Sequence, residues 1–213
     1  KHLDQHWVLN DGVRLNLVQL NAQFKDTALM HFPFTEAKQN NAALTGNIGL
    51  AYNGDRGFRS TFALSSGFRA PNVDDLTKVF DTKTGYVVVP NKDLKPEYTY
   101  NTEWTVSKNS ATYSWGASVF YTLFKNALVA DKFTWNGKST IMYQGVLSDV
   151  YATQNKAKAN LYGFNLNGRV RVINNTELNA TYTYNKGTYN DGSKEMPLDH
   201  IPPAYGRFGI KHI

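Results

Sequence analysis

The chain has 213 residues, thirteen of them Tyr, twelve Phe and four Trp, and no Cys. That mixture favours strands over helices, and the lack of Cys excludes disulfide scaffolds, thiolate metal sites and cysteine nucleophiles. The commoner meaning of a net charge of +6 is ordinary solubility; it also suits an anionic partner such as a lipid headgroup, a phosphate or an acidic ligand, while the absence of a dense Lys/Arg run argues against nucleic acid.

Eight strands are predicted in chain order, near residues 12–25, 39–53, 57–68, 98–108, 111–124, 151–173, 177–186 and 204–213. The first is the least regular, because Val13, Leu15 and Leu17 give way to Val18, Leu20, Ala22 and Phe24, a change of phase that a bulge or a misread register would produce. The second sets Ala42, Leu44, Ile48, Leu50 and Tyr52 against Thr45 and Asn47. In the fourth, Tyr98, Tyr100, Thr102, Trp104 and Val106 alternate with Thr99, Asn101, Glu103, Thr105 and Ser107. The fifth runs Tyr113, Trp115, Ala117, Val119, Tyr121, Leu123, with Phe120 and Phe124 interrupting its polar face. Tyr162, Phe164, Leu166, Val170 and Val172 oppose Asn165, Asn167, Arg169 and Arg171 in the sixth, and the seventh sets Leu178, Ala180, Tyr182 and Tyr184 against Glu177, Asn179, Thr181 and Thr183.

The connections sort by length. Short turns are expected at Gly54–Arg56, Asn109–Ser110 and Asn174–Thr176, and long ones near 26–38, 69–97, 125–150 and 187–203. Tight turns at one end and extended loops at the other are the asymmetry of an outer-membrane barrel. Aromatic residues near strand ends suit the membrane interfaces, and Glu103, Arg169 and Arg171 on the opposite face suit a hydrated lumen. No stretch approaches the roughly 20 apolar residues of a membrane helix. The fold class expected is therefore all-β, antiparallel transmembrane β-barrel strands. The chain starts at Lys1 without a signal peptide, and a fragment of a larger barrel is expected over 1–213.

Three segments around the second long loop carry a family likeness: GFRAP (Gly67–Pro71), NVDDL (Asn72–Leu76) and PNKDLKPE (Pro90–Glu97). With NKAKANLYGFNL (Asn155–Leu166) and IPPAYGRFGIKH (Ile201–His212), they resemble the barrel of TonB-dependent outer-membrane receptors, particularly those of Bacteroides-type bacteria. The motif positions are Phe68, Arg69, Ala70, Pro71, Pro90, Asn91, Leu94, Pro96 and Glu97. The resemblance implies a 22-stranded barrel, a plug domain, and import of a scarce ligand, most often an iron chelate or haem, energised through TonB. Outer-membrane lipid, the TonB system acting through a plug, and a small-molecule ligand are the implied partners. No region reads as the plug, so the barrel portion alone is expected here and should not transport by itself. Haem receptors of this family carry a histidine between two such motifs. None occurs from Asn72 to Val89, so haem recognition through that loop is not expected.

Pro71 and Pro90 cannot donate to a ladder and mark where pairing stops, and Pro96 fixes the backbone before the strand resumes. Candidate ligand-binding residues are Arg69, Asn72 and Asp74 in this loop and His31 and His200 in two others. For Arg69, bracing the loop through Asp74 or Asp75 is the competing role. No spacing suggests a zinc, phosphate or nucleophile motif, so neither an enzyme nor a resident cofactor or metal is expected. Two other functions fit the patterning: a self-contained structural or adhesive outer-membrane barrel, and a soluble all-β binding domain.

Overall fold

A computed structural model describes residues 1–23, 34–80, 83–173, 175–190 and 194–212. The strands are β1 Trp7–Gln23, β2 Glu36–Asn53, β3 Phe58–Arg69, β4 Tyr86–Val88, β5 Glu97–Asn109, β6 Tyr113–Lys132, β7 Thr140–Tyr143, β8 Val146–Ile173, β9 Thr176–Asn190, β10 Glu195–Pro197 and β11 Tyr205–His212, with one helix, α1 Val73–Thr77. The long strands pair in the order β1-β2-β3-β5-β6-β8-β9, and β11 adds to β9. Every pairing is antiparallel except that of β4 with β8. The eight expected strands are present; β4, β7 and β10 are additions that fall inside the long connections.

The apolar faces of neighbouring strands coincide. Leu50, Phe62, Trp104, Val119, Phe164 and Tyr184 lie on one ladder row, and Ile48, Leu64, Thr102, Tyr121, Tyr162 and Lys186 on the next. These side chains are not buried against a second layer: Val13 is 79% exposed, Leu17 72% and Trp104 52%. A soluble protein does not leave so large a continuous apolar face in water, whereas lipid covers it without cost. Polar atoms within the band are satisfied locally, as where Trp104 Nε1 donates to Ser60 Oγ at 3.0 Å.

The band has the height of a bilayer core. On β1 it runs from Trp7 to Leu17, and on β2 from Tyr52 to Ala42, paired directly across. Ten residue steps at about 3.3 Å, tilted by about 40°, rise about 25 Å. At its lower edge His6, Trp7, Tyr52 and Phe58 form a chain of ring contacts beside the tight turn at Asp55–Gly57, the place where an aromatic girdle belongs.

The phase change in β1 is not a bulge. The β1–β2 ladder is unbroken from Trp7↔Tyr52 to Gln23↔Glu36. What changes is the solvent outside: beyond Leu17 and Ala42 the outward residues are Gln19, Asn21, Lys38 and Asn40, while Val18, Leu20 and Ala37 turn inward. The strand has left the lipid and now buries its apolar side against the loops. For the same reason β6, β8 and β9 each run further than their alternation suggests.

The two residues that interrupt the polar face of β6 also have places. Phe120 lies over Gly163, where a Cβ would come within 2.9 Å of its ring and 2.1 Å of the Tyr184 carbonyl. Phe124 packs against Ala127, Val129, Ala159 and Tyr189. Among the described residues β1 and β11 do not pair with each other, so the sheet is open along those two edges.

Candidate functional site

The buried core of the described residues lies at the long-loop end, beyond the apolar band. Val87, Val89, Trp135, Val150 and Ala152 form its centre, with Phe34, Val79, Phe133, Ile141 and Tyr143 packed around them. The long loop after β3 is thus a folded layer. Its strand β4 lies parallel to the extension of β8, Tyr86 pairing with Asp149 and Val88 with Tyr151, while β7 pairs with the same extension in the opposite direction. Tyr86 stacks on Tyr151 at 4.1 Å between ring centroids. Burial pushes the Tyr86 phenol above its ordinary value, with the neighbouring Tyr151 phenol and the Asp199 and Asp131 charges adding to the rise.

The corner between β3 and α1 is held by Arg69, Asn72 and Asp75. Arg69 Nη2 donates to both Asp75 carboxylate oxygens at 2.9 and 2.8 Å. The Asn72 side chain accepts from the Asp75 N–H at 2.8 Å, and the Asp75 carboxylate accepts from the Asn72 N–H at 3.0 Å. This reciprocal capping box satisfies two N–H groups of a five-residue helix. Leu76 and Pro71 below it are fully buried. Asp74 is exposed on the first turn, and among the described residues its carboxylate accepts no hydrogen bond and forms no ion pair.

The second corner is a strap. Pro90 and Leu94 are buried. Asn91 Nδ2 donates to the Thr153 carbonyl, and Gln39 Nε2 donates to the Leu94 carbonyl at 3.0 Å. Asn155 receives the Lys95 N–H at 2.7 Å on its side-chain oxygen and donates to the Lys95 and Asn126 carbonyls. Asn126 Nδ2 reaches the Pro96 carbonyl, and the Glu97 carboxylate accepts the Leu128 N–H at 2.9 Å. The strap therefore crosses from β2 to β6 and β8. Gln39 and Asn126 were not among the residues singled out by sequence, and Asn155 entered only as the first residue of a family segment; Asn is simply frequent in this chain, and its tertiary bonds leave no periodic trace.

Arg69, Asn72 and Asp74 meet at the one corner, and His200 lies apart from them. Arg69 and His200 sit beside strands β3 and β9, with β5, β6 and β8 between them, four spacings of about 4.8 Å each along the sheet. His200 is exposed and takes a left-handed backbone at φ 63°. His31 lies outside the described residues. No group of three or more His, Asp or Glu able to hold a metal ion occurs among the described residues.

An outward apolar band, a polar inner wall and a folded loop layer at one end define an outer-membrane β-barrel of the receptor kind. The chain belongs to the family described as TonB dependent receptor-like, beta-barrel, which it matches over residues 2–212. It therefore resides in the bacterial outer membrane. It is 25% identical over 157 residues to the Hemoglobin and hemoglobin-haptoglobin-binding protein A of Haemophilus influenzae, covering 70% of this chain and 14% of that protein. The copper transporter OprC shares its fold with a TM-score of 0.78 at 18% identity, over 99% of this chain and 30% of the transporter. The ferric yersiniabactin uptake receptor FyuA of Yersinia pestis does so with a TM-score of 0.61 at 15% identity, over 99% of this chain and 29% of the receptor. The chain thus spans less than a third of the length of each.

Proposed function

We propose that this chain is the barrel portion of an importer of an iron chelate or haem, working with a plug carried by the intact receptor and with TonB. Its work is selective passage, and no bond-making chemistry is assigned to it. The observation that carries the reading is the relation to a haemoglobin-binding receptor across 70% of the chain, supported by the folded loop layer over a polar inner wall. Recognition falls to the long loops. Arg69 and Asn72 act by holding α1, since Arg69 Nη2 and the Asn72 side-chain oxygen already bond to Asp75 within the corner, and the exposed Asp74 carboxylate and His200 ring are offered to the cargo together with His31.

Growth of cells with and without the intact gene, on haem, ferric siderophores, cobalamin or glycans as the limiting nutrient, tests the proposal. Loss of growth on haem or on one ferric chelate alone is expected, and equal growth on every iron source would refute it. Replacing His31 and His200 together with Ala should weaken haem binding by the full-length receptor; unchanged binding removes the histidines from the site.

A further inference from the structure

The pairing of β2 with β3 stops inside the apolar band. Its ladder runs from Asn53↔Arg59 to Asn47↔Ser65 and ends there, although β2 continues along β1 to Glu36 and β3 along β5 to Arg69. At the next level a side chain enters the rung: the Gly46 N–H donates to Ser66 Oγ at 2.9 Å, and that hydroxyl donates to the Gly46 carbonyl at 3.3 Å. Gly46 stands in the upper half of the band, whose limits on β2 are Tyr52 and Ala42. Above it no ladder pair joins the two strands, and the next tie is Gln39 Nε2 to the Leu94 carbonyl of the strap. The wall therefore carries a seam at the depth of the outer leaflet, between the Ser66 hydroxyl below and the strap above. Backbone groups at that depth need partners, so the seam is a place to be filled.

The wall is also thin there. Gly12 pairs with Asn47, and Asn47 with Ser65, so small residues adjoin across three strands. Two depressions meet at this point from opposite faces. The larger, about 490 Å³, takes in the outward Val13, Ile48, Leu64, Tyr100 and Thr102. The smaller, about 310 Å³, takes in the inward Arg14 and Thr45. Gly46, Asn47, Ser65 and Ser66 line both.

The charge changes sign across the seam. Asp11 lies on the outer face opposite Ile48, and Arg14 on the inner face opposite Thr45. Both are exposed, and among the described residues neither forms an ion pair. An anionic head is thus repelled from the lipid side and drawn inward to Arg14, while hydrocarbon rests on Val13, Leu64 and Tyr100. A guanidinium takes a planar carboxylate through two parallel hydrogen bonds. The gap that one serine hydroxyl bridges suits a single chain, and is too narrow for the clustered acyl chains of a glycolipid.

We infer that the seam between β2 and β3 is a lateral binding site for a single-chain amphiphile with a carboxylate head, its hydrocarbon in the outer depression and its head directed past Ser66 to Arg14. The site stands on the wall and not on the import reading. Photo-labelling of the full-length receptor in liposomes, with palmitate carrying a mid-chain diazirine, followed by peptide mass spectrometry, tests it. Adducts should gather on residues 42–48 and 64–68 at least fivefold over the outward stretch of β6 at residues 117–123, and excess unlabelled palmitate should suppress them. Arg14→Gln should lower seam labelling at least fivefold. Thr102→Trp, which fills the outer depression, should bring it down to the level of β6, and Val119→Trp, elsewhere on the band, should leave it unchanged. A probe with an alcohol in place of the carboxylate should label the seam no more than it labels β6. Even or unsaturable labelling around the band, no effect of Arg14→Gln, or equal seam labelling by the alcohol would each overturn the site. Heat-modifiable gel mobility reports the folded barrel separately; if Arg14→Gln fails that check, the comparison of Thr102→Trp with Val119→Trp decides, and equal labelling of those two variants refutes the site.

Discussion

Arg69 and Asn72 show how much chemistry a loop corner consumes before any ligand arrives. The guanidinium nitrogen meets both Asp75 oxygens, and Asn72 closes the reciprocal cap on the same residue. The ion pair is half exposed on its Arg side, so the cap contributes the more dependable stabilisation. Asn72→Ala should cost about 1 kcal/mol locally, seen as roughly fivefold faster amide exchange at Asp75 and Leu76 in the detergent-solubilised receptor, with strand amides unchanged. Tyr86 is the residue whose ionisation matters. Burial beside Tyr151 raises its phenol above the ordinary value of 10.0. The neutral form is therefore favoured in the docked loop, so docking is fully present below about pH 10 and is lost as the pH rises through the raised folded-state value. Limited proteolysis of the loop across pH 8 to 12 should show that release, and Tyr86→Phe should shift or abolish it; an identical profile in the variant would assign the release to another group.

At the scale of the element, the strap from Pro90 to Glu97 is what converts a long loop into a fixed platform. Asn155 alone contributes three hydrogen bonds to it, each worth about 1 kcal/mol net. Asn155→Ala should therefore loosen the layer by about 2–3 kcal/mol, measured as raised exchange in β4 and around Leu94 while the band of β5 and β6 stays protected. The strands themselves were largely legible in the sequence, because lipid on one side and water on the other write a strict alternation. The alternation fades where that contrast ends. Asp11 falls among the outward residues of β1, opposite Ile48, and conceals the strand's start at Trp7, while the turn from Leu17 to Val18 marks the lipid boundary rather than a bulge. β4, β7 and β10 have three or four residues each, too few to declare a period. The corner of Arg69 with Asp75 could be anticipated from spacing; the partners of Asn155 and Gln39, 60 and 55 residues away at Lys95 and Leu94, could not.

For the whole molecule, the governing fact is an inverted economy of burial. The broad apolar face is turned outward, and the compact core is small and lies in the loop layer. Every element follows from that: the aromatic girdle at the band's lower edge, the glycine at 163 that lets β8 approach β9, the polar inner wall of Asn, Thr and Arg, and the loops folded over one end. The β5 strand gives the clearest readout, since its outward Thr102, Trp104 and Val106 alternate with inward Asn101, Glu103 and Thr105, and this chain has no Cys of its own. Single cysteines placed at residues 101 to 106 of the full-length receptor, spin-labelled in reconstituted bilayers, measure the relative access of oxygen and of a water-soluble nickel reagent at each site. The account predicts a strict period of two, with oxygen access dominating at 102, 104 and 106 and not at 101, 103 and 105. Uniform access of the nickel reagent to all six positions would show that the apolar face meets water or protein, and would contradict the barrel's placement in the membrane.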